Sequence, residues 1–255
     1  MKTTKVCVVT GSSSGIGAAT ALLFASKGWN VVVNYSRSAE PAEAIATQCR
    51  AHGVEVLVVK CNVASDDDCR RLAVEVDACW GRVDVLVNNA GTTRFVGLKD
   101  LDGLSAEDFH NIYDVNVIGA YQMTRALAPL LKRNPVTGIV NISSVASMMG
   151  IGSSIAYMSS KGALNAMTVG LARSLGPDVR VNAIAPGLVD TPWLRQGHGE
   201  ARYAAMVDGY KDKAALADVI QPEDVAAAAW FLGVEAAKTT GEVLLLDAGL
   251  RITKA

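Results

Sequence analysis

A tyrosine and a lysine four residues apart form the pattern in this sequence with the clearest chemical meaning. Tyr157 and Lys161 lie in a helix-compatible stretch that continues through Leu175, and side chains four residues apart share one face of a helix. A free tyrosine titrates near pH 10, so acid–base chemistry near neutral pH needs a pKa lower by ~3 units, or about 4 kcal/mol. An ammonium group ~4 Å away supplies about that much at an effective dielectric constant of ~20. We therefore predict that Lys161 lowers the pKa of Tyr157, which then acts as a general acid or base; an exposed pair without function is the alternative.

Two other polar side chains stand where they could assist this pair. Ser144 follows Ser143 at the end of a β-branched run, and the carboxyl ends of strands are where α/β sheets hold ligands. The Ser144 hydroxyl can hydrogen-bond a carbonyl or alcohol while Tyr157 exchanges a proton with it. Asn116 lies inside a long helical stretch, where asparagine is a poor helix former. Its side chain could divert a backbone hydrogen bond toward a water.

A glycine-rich loop precedes the first helical stretch. Residues 10–17 read Thr-Gly-Ser-Ser-Ser-Gly-Ile-Gly and follow a β-branched run. Glycines permit a tight turn and let backbone N–H groups approach a pyrophosphate at the start of a helix. The loop therefore predicts a dinucleotide site, with a purely structural turn as the alternative. The candidate cofactor-binding residues here are Gly11, Ser13, Ser14, Gly15, Ile16 and Gly17.

The second β-branched run ends without an acidic residue, at Asn34-Tyr35-Ser36-Arg37. A carboxylate near this point would bind the adenosine ribose hydroxyls and repel a 2′-phosphate. Ser36 and Arg37 can instead donate hydrogen bonds to a phosphate. The sequence therefore favours NADP(H) over NAD(H), with Tyr35, Ser36 and Arg37 as contacts.

Seven β-branched runs alternate with helical stretches along the chain. The runs are Val6–Thr10, Val31–Asn34, Val54–Lys60, Val83–Asn88, Ile139–Ser143, Val179–Ala185 and Val243–Asp247. Most are continuously apolar, as in parallel strands covered by helices on both faces. We predict an α/β fold: a single doubly wound, Rossmann-type domain over residues 1–255 with a seven-stranded parallel sheet. The segment 188–219 is long for a connection, so we expect a substrate lid there, with a surface excursion as the alternative.

The composition limits the function classes. Half of the residues are apolar, 19% are charged and the net charge is −1, which argues against a disordered chain and does not favour nucleic-acid or membrane binding. Residues 1–10 lack the apolar core of a secretion signal, and no apolar stretch is long enough to span a bilayer. The five cysteines contain no Cys-x-x-Cys pair and are interpreted as thiols in a reducing compartment. We predict a cytoplasmic protein without a metal site.

Several motifs occur together, in order and at matching separations. They are Thr-Gly-x-x-x-Gly-x-Gly at 10–17, Asn-Asn-Ala-Gly at 88–91, Asn116, Ser144, Tyr157 with Lys161, and Pro186-Gly187. As a set they are highly specific, and over essentially its whole length the chain resembles the short-chain dehydrogenase/reductase family. The resemblance implies an NAD(P)(H)-dependent oxidoreductase that transfers hydride between nicotinamide and a carbonyl or secondary alcohol.

The resemblance also implies a role for each motif residue. Tyr157 is the general acid/base, Lys161 lowers its pKa and holds the nicotinamide ribose, Ser144 orients the reacting oxygen, and Asn116 positions a water in a proton relay through Lys161. The implied cofactor contacts are Asn89, Ala90 and Gly91 on the adenosine-ribose side, and Pro186, Gly187, Val189 and Thr191 around the nicotinamide.

The sequence departs from the family pattern at three places. Asn62-Val63 stands where the family usually has Asp-Val, and an asparagine carbonyl can still accept a hydrogen bond from the adenine amino group. Ser14 replaces the Arg or Lys that NADP-preferring members often carry, which leaves a 2′-phosphate mainly to Arg37 and Ser36. Asp247-Ala248-Gly249 replaces Asp-Gly-Gly and concerns packing more than chemistry.

Substrate and assembly are less determined. The sequence is similar to 3-oxoacyl-carrier-protein reductases, which implies NADPH-dependent ketone reduction, and to NAD-dependent sugar or polyol dehydrogenases. Arg94, Arg195 and Arg202 could meet an anionic, phosphopantetheine-bound substrate, although lone surface arginines are more often solvated. Family analogues imply a homotetramer, or a homodimer, packed through helices around 105–130 and 155–175.

Proteins of other classes remain as alternatives at this point. A non-catalytic dinucleotide sensor has no need of the Ser144, Tyr157 and Lys161 set. Sugar-nucleotide epimerases and dehydratases share Tyr-x-x-x-Lys but resemble longer chains with an added carboxyl-terminal domain. A Rossmann-type methyltransferase needs no Tyr–Lys pair.

Overall fold

Short parallel strands form the centre of the structure, a computed structural model that describes residues 4–252. The strands are β1 (Val6–Val9), β2 (Asn30–Tyr35), β3 (Val56–Lys60), β4 (Val85–Asn88), β5 (Thr137–Ile142), β6 (Val179–Pro186) and β7 (Val243–Leu246). Their order across the sheet is β3-β2-β1-β4-β5-β6-β7, and every neighbouring pair is parallel. The predicted fold class is confirmed. The chain reverses direction across the sheet between β1 and β4, the position where such sheets bind ligands.

Helices cover both faces of this sheet. They are α1 (Gly15–Ser26), α2 (Ala39–Arg50), α3 (Asp66–Trp80), α4 (Ala106–Tyr113), α5 (Ala120–Leu131), α6 (Ala146–Met149), α7 (Ile155–Leu175), α8 (Pro192–His198), α9 (Glu200–Lys213) and α10 (Pro222–Trp230). Two π-helical turns, Asp114–Gly119 and Phe231–Glu235, join α4 to α5 and follow α10. None of the helices among residues 4–252 combines the length and apolarity that crossing a membrane requires.

The apolar core is divided by the sheet into two layers. On one face α1, α2 and α10 contribute buried side chains such as Phe24, Ala46 and Val225. On the other face α3, α5 and α7 contribute Leu72, Leu127 and Leu175. Because the five inner strands are buried from both sides, their side chains need not alternate between apolar and polar. The functional groups are therefore confined to the strand ends and the loops that follow them.

The segment 188–219, predicted to be a lid, is mostly helical and is anchored at both ends. Val189 forms a parallel bridge with Ile220 at its base. In α9 the Tyr210 hydroxyl donates to the Asp247 carbonyl oxygen at 2.6 Å. A Cβ at Gly187 would lie 2.0 Å from the Tyr210 hydroxyl oxygen, so only glycine admits this contact. The segment consequently lies over the carboxyl-terminal edge of the sheet.

The glycine loop is fixed to the strand beside it by Asn89. The Asn89 Nδ2 atom donates to the carbonyl oxygens of Thr10 at 2.9 Å and Gly11 at 3.0 Å. A Cβ on Gly17 would lie 2.5 Å from Asn89 Nδ2 and 2.5 Å from the Gly11 oxygen. Gly17 therefore lets α1 begin directly against the loop, where any side chain would displace these hydrogen bonds.

We predict that Gly17→Ala destabilises the protein by about 2 kcal/mol, because overpacking a close-packed site typically costs 1–3 kcal/mol. Gly170→Ala, in the middle of α7 with nothing within 4 Å of the added Cβ, is the matched control and should stabilise by about 0.5–1 kcal/mol. Urea unfolding of both variants measures the difference. A change of the same sign in the free energy of unfolding of both variants would contradict the close packing inferred at Gly17.

Candidate active site

A cleft of about 1450 Å³ crosses the carboxyl-terminal ends of the strands. The glycine loop forms one end, and the helices of the 188–219 segment cover the other. The cleft brings together most of the residues singled out in the sequence. These are Gly11, Ser13, Ser14, Gly15, Ile16, Tyr35, Ser36, Arg37, Asn62, Val63, Asn89, Ala90, Gly91, Ser144, Tyr157, Lys161, Pro186, Gly187, Val189 and Thr191. Gly17 and Asn116 are not among its lining residues, but each lies against a residue that is: Gly17 against Asn89 and Asn116 against Thr92.

Ser144 and Tyr157 meet on the floor of this cleft. Ser144 is the second residue after β5, and Tyr157 lies in the first turn of α7, where Ser154 caps the helix by accepting from the Tyr157 backbone N–H at 3.2 Å. Burial raises the pKa of Tyr157 to about 12, an effect that the neighbouring Ser144 hydroxyl opposes. At neutral pH the phenol is thus a protonated donor with a second hydroxyl beside it.

Lys161 lies one turn further along α7 and is deeply buried. Its side chain is 4% exposed, and its Nζ atom donates to the Ile142 carbonyl oxygen at 2.7 Å. Nζ lies 5.7 Å from the centre of the Tyr157 ring. Burial lowers the pKa of Lys161 to about 8, because an ammonium loses its hydration inside the protein.

The pKa of Tyr157 is raised in this structure and not lowered as predicted, because burial is the largest influence on it; a lowering contribution from Lys161 stays a prediction. The sequence argument placed the ammonium ~4 Å from the phenol and weighed only the attraction between charges. Here the ammonium is directed to the end of β5, and burial of the phenol is the largest influence on its pKa. Desolvation disfavours the charged form of both groups, so the tyrosine pKa rises and the lysine pKa falls.

The loop that carries Ser144 is held by polar side chains of α6 and α7. Ser143 Oγ donates to Asn165 Oδ1 at 2.6 Å, and Asn165 Nδ2 donates to Ser147 Oγ at 2.9 Å. Ser147 Oγ in turn donates to the Ser144 carbonyl oxygen at 2.7 Å. The competing serine, Ser143, is therefore used in positioning, while Ser144 faces Tyr157. Asn165 and Ser147 were missed in the sequence, since nothing in their spacing distinguishes them from ordinary helix residues.

Asn116 lies in the π-helical turn that joins α4 to α5 and is 1% exposed. Its Oδ1 accepts from the Thr92 N–H at 2.7 Å, and its Nδ2 donates to the Thr92 carbonyl oxygen and the Ser160 hydroxyl, both at 3.0 Å. The Asn116 side chain thus connects the loop after β4 to α7. Turns of this type are frequent at functional sites, and the expected role in positioning a water stays a prediction.

The opposite end of the cleft has the features of a dinucleotide cradle. Ser14, the N-cap of α1, has an extended backbone and makes no side-chain capping bond, so the first N–H groups of the helix are open to the cleft. A Cβ on Gly11, where φ is 62°, would lie 3.0 Å from the Ala90 Cα, and one on Gly15 would lie 3.3 Å from Thr191 Cγ2. These residues fit a pyrophosphate at the helix start, which backbone donors and the helix dipole favour.

Donors to a further phosphate lie at the end of β2. Ser36 and Arg37 are exposed and line the cleft, and no acidic residue follows the strand before α2. Asn62 also lines the cleft, but its Oδ1 already accepts from the Ala64 N–H at 3.2 Å. An adenine amino group would therefore share this oxygen with a backbone donor. A bound nicotinamide dinucleotide would be held by these residues together with Lys161 and Thr191.

Two of the three arginines considered for an anionic substrate are already paired. Arg94 Nη1 contacts both carboxylate oxygens of Asp108 at 2.7 Å. Arg195 pairs with Asp190 at 2.8 Å and stacks on the Tyr203 ring, 4.6 Å from its centre. Arg202 is exposed and lines the cleft. Internal carboxylates therefore already engage Arg94 and Arg195, and contact of any of the three with an anionic substrate stays a prediction.

The sequence also did not single out an aromatic group beside Tyr157. The ring centres of Tyr157 and Trp193 lie 6.1 Å apart, and Phe95 lies 6.1 Å from Trp193 on its other side. A signal was available: the chain is only 5% aromatic, and Trp193 falls in the 188–219 segment that was expected to form a lid. Their proximity depends on the tertiary fold and could not be read from spacing.

Comparisons with known proteins agree with this arrangement. A family model described as enoyl-(acyl carrier protein) reductase matches residues 11–251. A protein named as ketoacyl reductase 2 of the granaticin polyketide synthase of Streptomyces violaceoruber is 42% identical over 247 residues, covering 97% of this chain and 96% of that protein. A 3-oxoacyl-[acyl-carrier-protein] reductase of Synechocystis is 36% identical over 251 residues, covering 97% of each.

Solved structures with the same fold also share sequence. A protein described as a short-chain dehydrogenase/reductase from Burkholderia xenovorans has a TM-score of 0.91 and 41% identity, covering 99% of this chain and all of that one. Ligand-free aldohexose dehydrogenase of Thermoplasma acidophilum has a TM-score of 0.86 and 30% identity, covering 99% of this chain and 95% of that one.

The buried lysine makes a pH-dependent prediction about stability. Lys161 titrates near 10.5 when unfolded and at about 8 when folded, so between these values only the unfolded chain holds the proton. Stability therefore rises with pH across this window, by roughly 3 kcal/mol in total at 1.36 kcal/mol per unit. We predict this rise in wild type relative to Lys161→Met, measured by urea unfolding from pH 7 to 10.5. Lys132→Met, which removes an exposed lysine, should track wild type. A constant difference between wild type and Lys161→Met over the window would refute the shift.

Proposed function

The chain belongs to the short-chain dehydrogenase/reductase family, an NAD(P)-dependent family of oxidoreductases acting on CH–OH and C=O groups, and we propose that it reduces a ketone with NADPH, using Tyr157 as the general acid. The observation that carries the proposal is the Ser144 hydroxyl beside the Tyr157 phenol in the cleft, with a phenol that stays protonated at neutral pH. A protonated phenol suits reduction, since the product oxygen must gain a proton.

The residues of the cleft divide the reaction among them. The glycine loop, Lys161 and Thr191 would hold a reduced nicotinamide dinucleotide, which would supply the hydride for the carbonyl carbon as the carbon–oxygen π electrons pass to the oxygen. The Tyr157 hydroxyl gives this oxygen its proton, while the Ser144 hydroxyl donates a hydrogen bond that stabilises the developing negative charge. Lys161, mostly protonated at pH 7 with a pKa of about 8, stabilises the phenolate that remains. Solvent then returns a proton to Tyr157.

The proposed substrate is a 3-oxoacyl compound or a related ketone. This rests on the curated relatives named as ketoacyl and 3-oxoacyl-[acyl-carrier-protein] reductases. NAD-dependent oxidation of a sugar or polyol is the second candidate, supported by the likeness to aldohexose dehydrogenase. Initial rates with ketone plus NADPH and with aldohexoses plus NAD⁺ separate the two. A faster oxidative reaction would favour the second.

Assembly and location remain predictions. Exposed apolar side chains on the helices expected to pack between subunits support a homotetramer or homodimer: Ile118 precedes α5, Tyr121 lies on it and Val169 lies on α7, each 45% exposed. A cytoplasmic location is likewise a prediction.

We predict that Tyr157→Phe lowers kcat for ketone reduction by 10²–10⁴-fold, the usual contribution of a positioned general acid. Phenylalanine keeps the ring and removes only the hydroxyl, so the affinity for NADPH should change by less than about twofold. Tyr121→Phe, which removes an exposed hydroxyl outside the cleft, should leave kcat unchanged. An undiminished kcat in Tyr157→Phe would contradict the proposed role of Tyr157 as the general acid.

We also predict that Arg37→Ala weakens NADPH binding about tenfold and leaves NADH binding within about twofold, because a charge-assisted hydrogen bond to the 2′-phosphate is lost. Arg50→Ala, on the same side of the sheet in an exposed ion pair with Glu43, is the control. Fluorescence titration with each cofactor gives both constants. An equal loss for both cofactors, or tighter NADH binding by wild type, would contradict the proposed preference.

A further inference from the structure

We propose that this enzyme prefers ketones in which the carbonyl belongs to, or adjoins, a flat ring, and that Trp193 is the residue that selects them. This deepens the proposed function and rests on it, since it names the substrate class of the same cleft. The Trp193 indole lines the cleft next to the proton donor, its ring centre 6.1 Å from that of Tyr157 and tilted by 56°. Aromatic pairs interact favourably at such separations.

The position of Trp193 is fixed from behind by Phe95. The two ring centres lie 6.1 Å apart. Gly197 is four residues after Trp193 in α8, and a Cβ there would lie 2.1 Å from Phe95 Cε2. The Phe95 ring therefore occupies a notch that only glycine leaves open, on the same face of α8 as Trp193. The indole has a packed ring behind it and the cleft in front.

The loop that carries Phe95 is itself held in place. The Val96 N–H donates to the Ser153 carbonyl oxygen at 2.8 Å, and the hydroxyls of Thr93 and Ser153 lie 2.7 Å apart. Because Ser153 precedes α7 by two residues, these bonds tie the Phe95 loop to the start of the catalytic helix. Trp193, Phe95 and Tyr157 therefore form one connected wall.

The cleft also contains apolar side chains. Among its lining residues are Met149, Ile151, Leu188, Leu194 and Met206. Trp193 is 42% exposed, which leaves much of its indole accessible to a ligand. Arg94 and Arg195, near the same end, are neutralised by Asp108 and Asp190. A substrate whose oxygen bonds to Tyr157 would place its adjacent carbons beside the Trp193 indole.

A flat ring uses this wall better than a flexible chain. It presents a π face to the indole and loses little conformational freedom on binding, whereas an acyl chain must be ordered bond by bond. An aromatic contact of ordinary strength changes an equilibrium by up to about tenfold. The expected selectivity for a ring ketone is of that size.

The test compares three ketones with NADPH: 2-tetralone, which carries a flat ring, trans-2-decalone, which has the same skeleton but is saturated, and the N-acetylcysteamine thioester of acetoacetate, which is linear. We expect wild type to reduce 2-tetralone with a kcat/KM about tenfold above that of the linear thioester, and decalone to fall between them. Trp193→Ala should lose the preference through KM, and Trp193→Phe should keep most of it. Phe231→Ala, which removes an aromatic side chain of similar exposure outside the cleft, should behave as wild type.

Two results overturn the proposal: wild type that reduces the ketones without preferring a ring, or Trp193→Ala that slows all three ketones equally. Reduction of none of them by wild type contradicts the proposed function instead. Calorimetric binding of 2-tetralone to Tyr157→Phe, with and without Trp193→Ala, separates these failures because it needs no turnover. If the added Trp193→Ala substitution weakens 2-tetralone binding about tenfold, the proposed role of Trp193 is supported. An unchanged affinity refutes it.

Discussion

The structure of this site depends on burying two ionisable side chains, Tyr157 and Lys161, at the carboxyl-terminal edge of the sheet. A buried ammonium is costly unless it is hydrogen-bonded. The last carbonyl of β5, that of Ile142, accepts from Lys161 Nζ. Ser154 fixes the start of the helix that carries both groups. The Asn116 contacts with Ser160 and Thr92 attach that helix to the neighbouring loop.

Burial moves the two pKa values in opposite directions, and this sets the chemistry available. The pKa of Tyr157 rises from 10.0 to about 12 and that of Lys161 falls from 10.5 to about 8, so desolvation moves the two values apart. The phenol is then a proton donor at neutral pH, and the pKa of Lys161, about 8, lies close to neutral pH. Pairs of groups whose environments shift their pKa values are typical of acid–base sites. The Ser144 hydroxyl beside the phenol lowers its pKa and so favours the phenolate.

The sequence was sufficient for the fold because its pattern is local. Each strand is a short apolar run such as Val31–Asn34. The alternation of these runs with helical stretches predicted the parallel sheet that the structure contains. It was also sufficient to collect the cleft residues, since strand ends in such a sheet converge on one edge. The quantities it could not give depend on packing. The Lys161 ammonium is directed to Ile142 and not to the phenol, and Asn165 reaches Ser143 and Ser147 only after α7 docks on β5. Trp193 and Phe95 are 98 positions apart in the sequence. They meet because Gly197 leaves space for the Phe95 ring against α8.

The central claim is that a hydride and the Tyr157 proton reach the same carbonyl in this cleft. The most direct measurement is to supply a ketone with NADPH that carries deuterium at the nicotinamide C4 position, using both stereoisomers in turn, and to analyse the product alcohol by mass spectrometry. The account predicts one deuterium on the carbinol carbon from one stereoisomer and none from the other, because a fixed cleft presents one face of the ring. An alcohol that carries no deuterium from either, or an equal share from both, would contradict it.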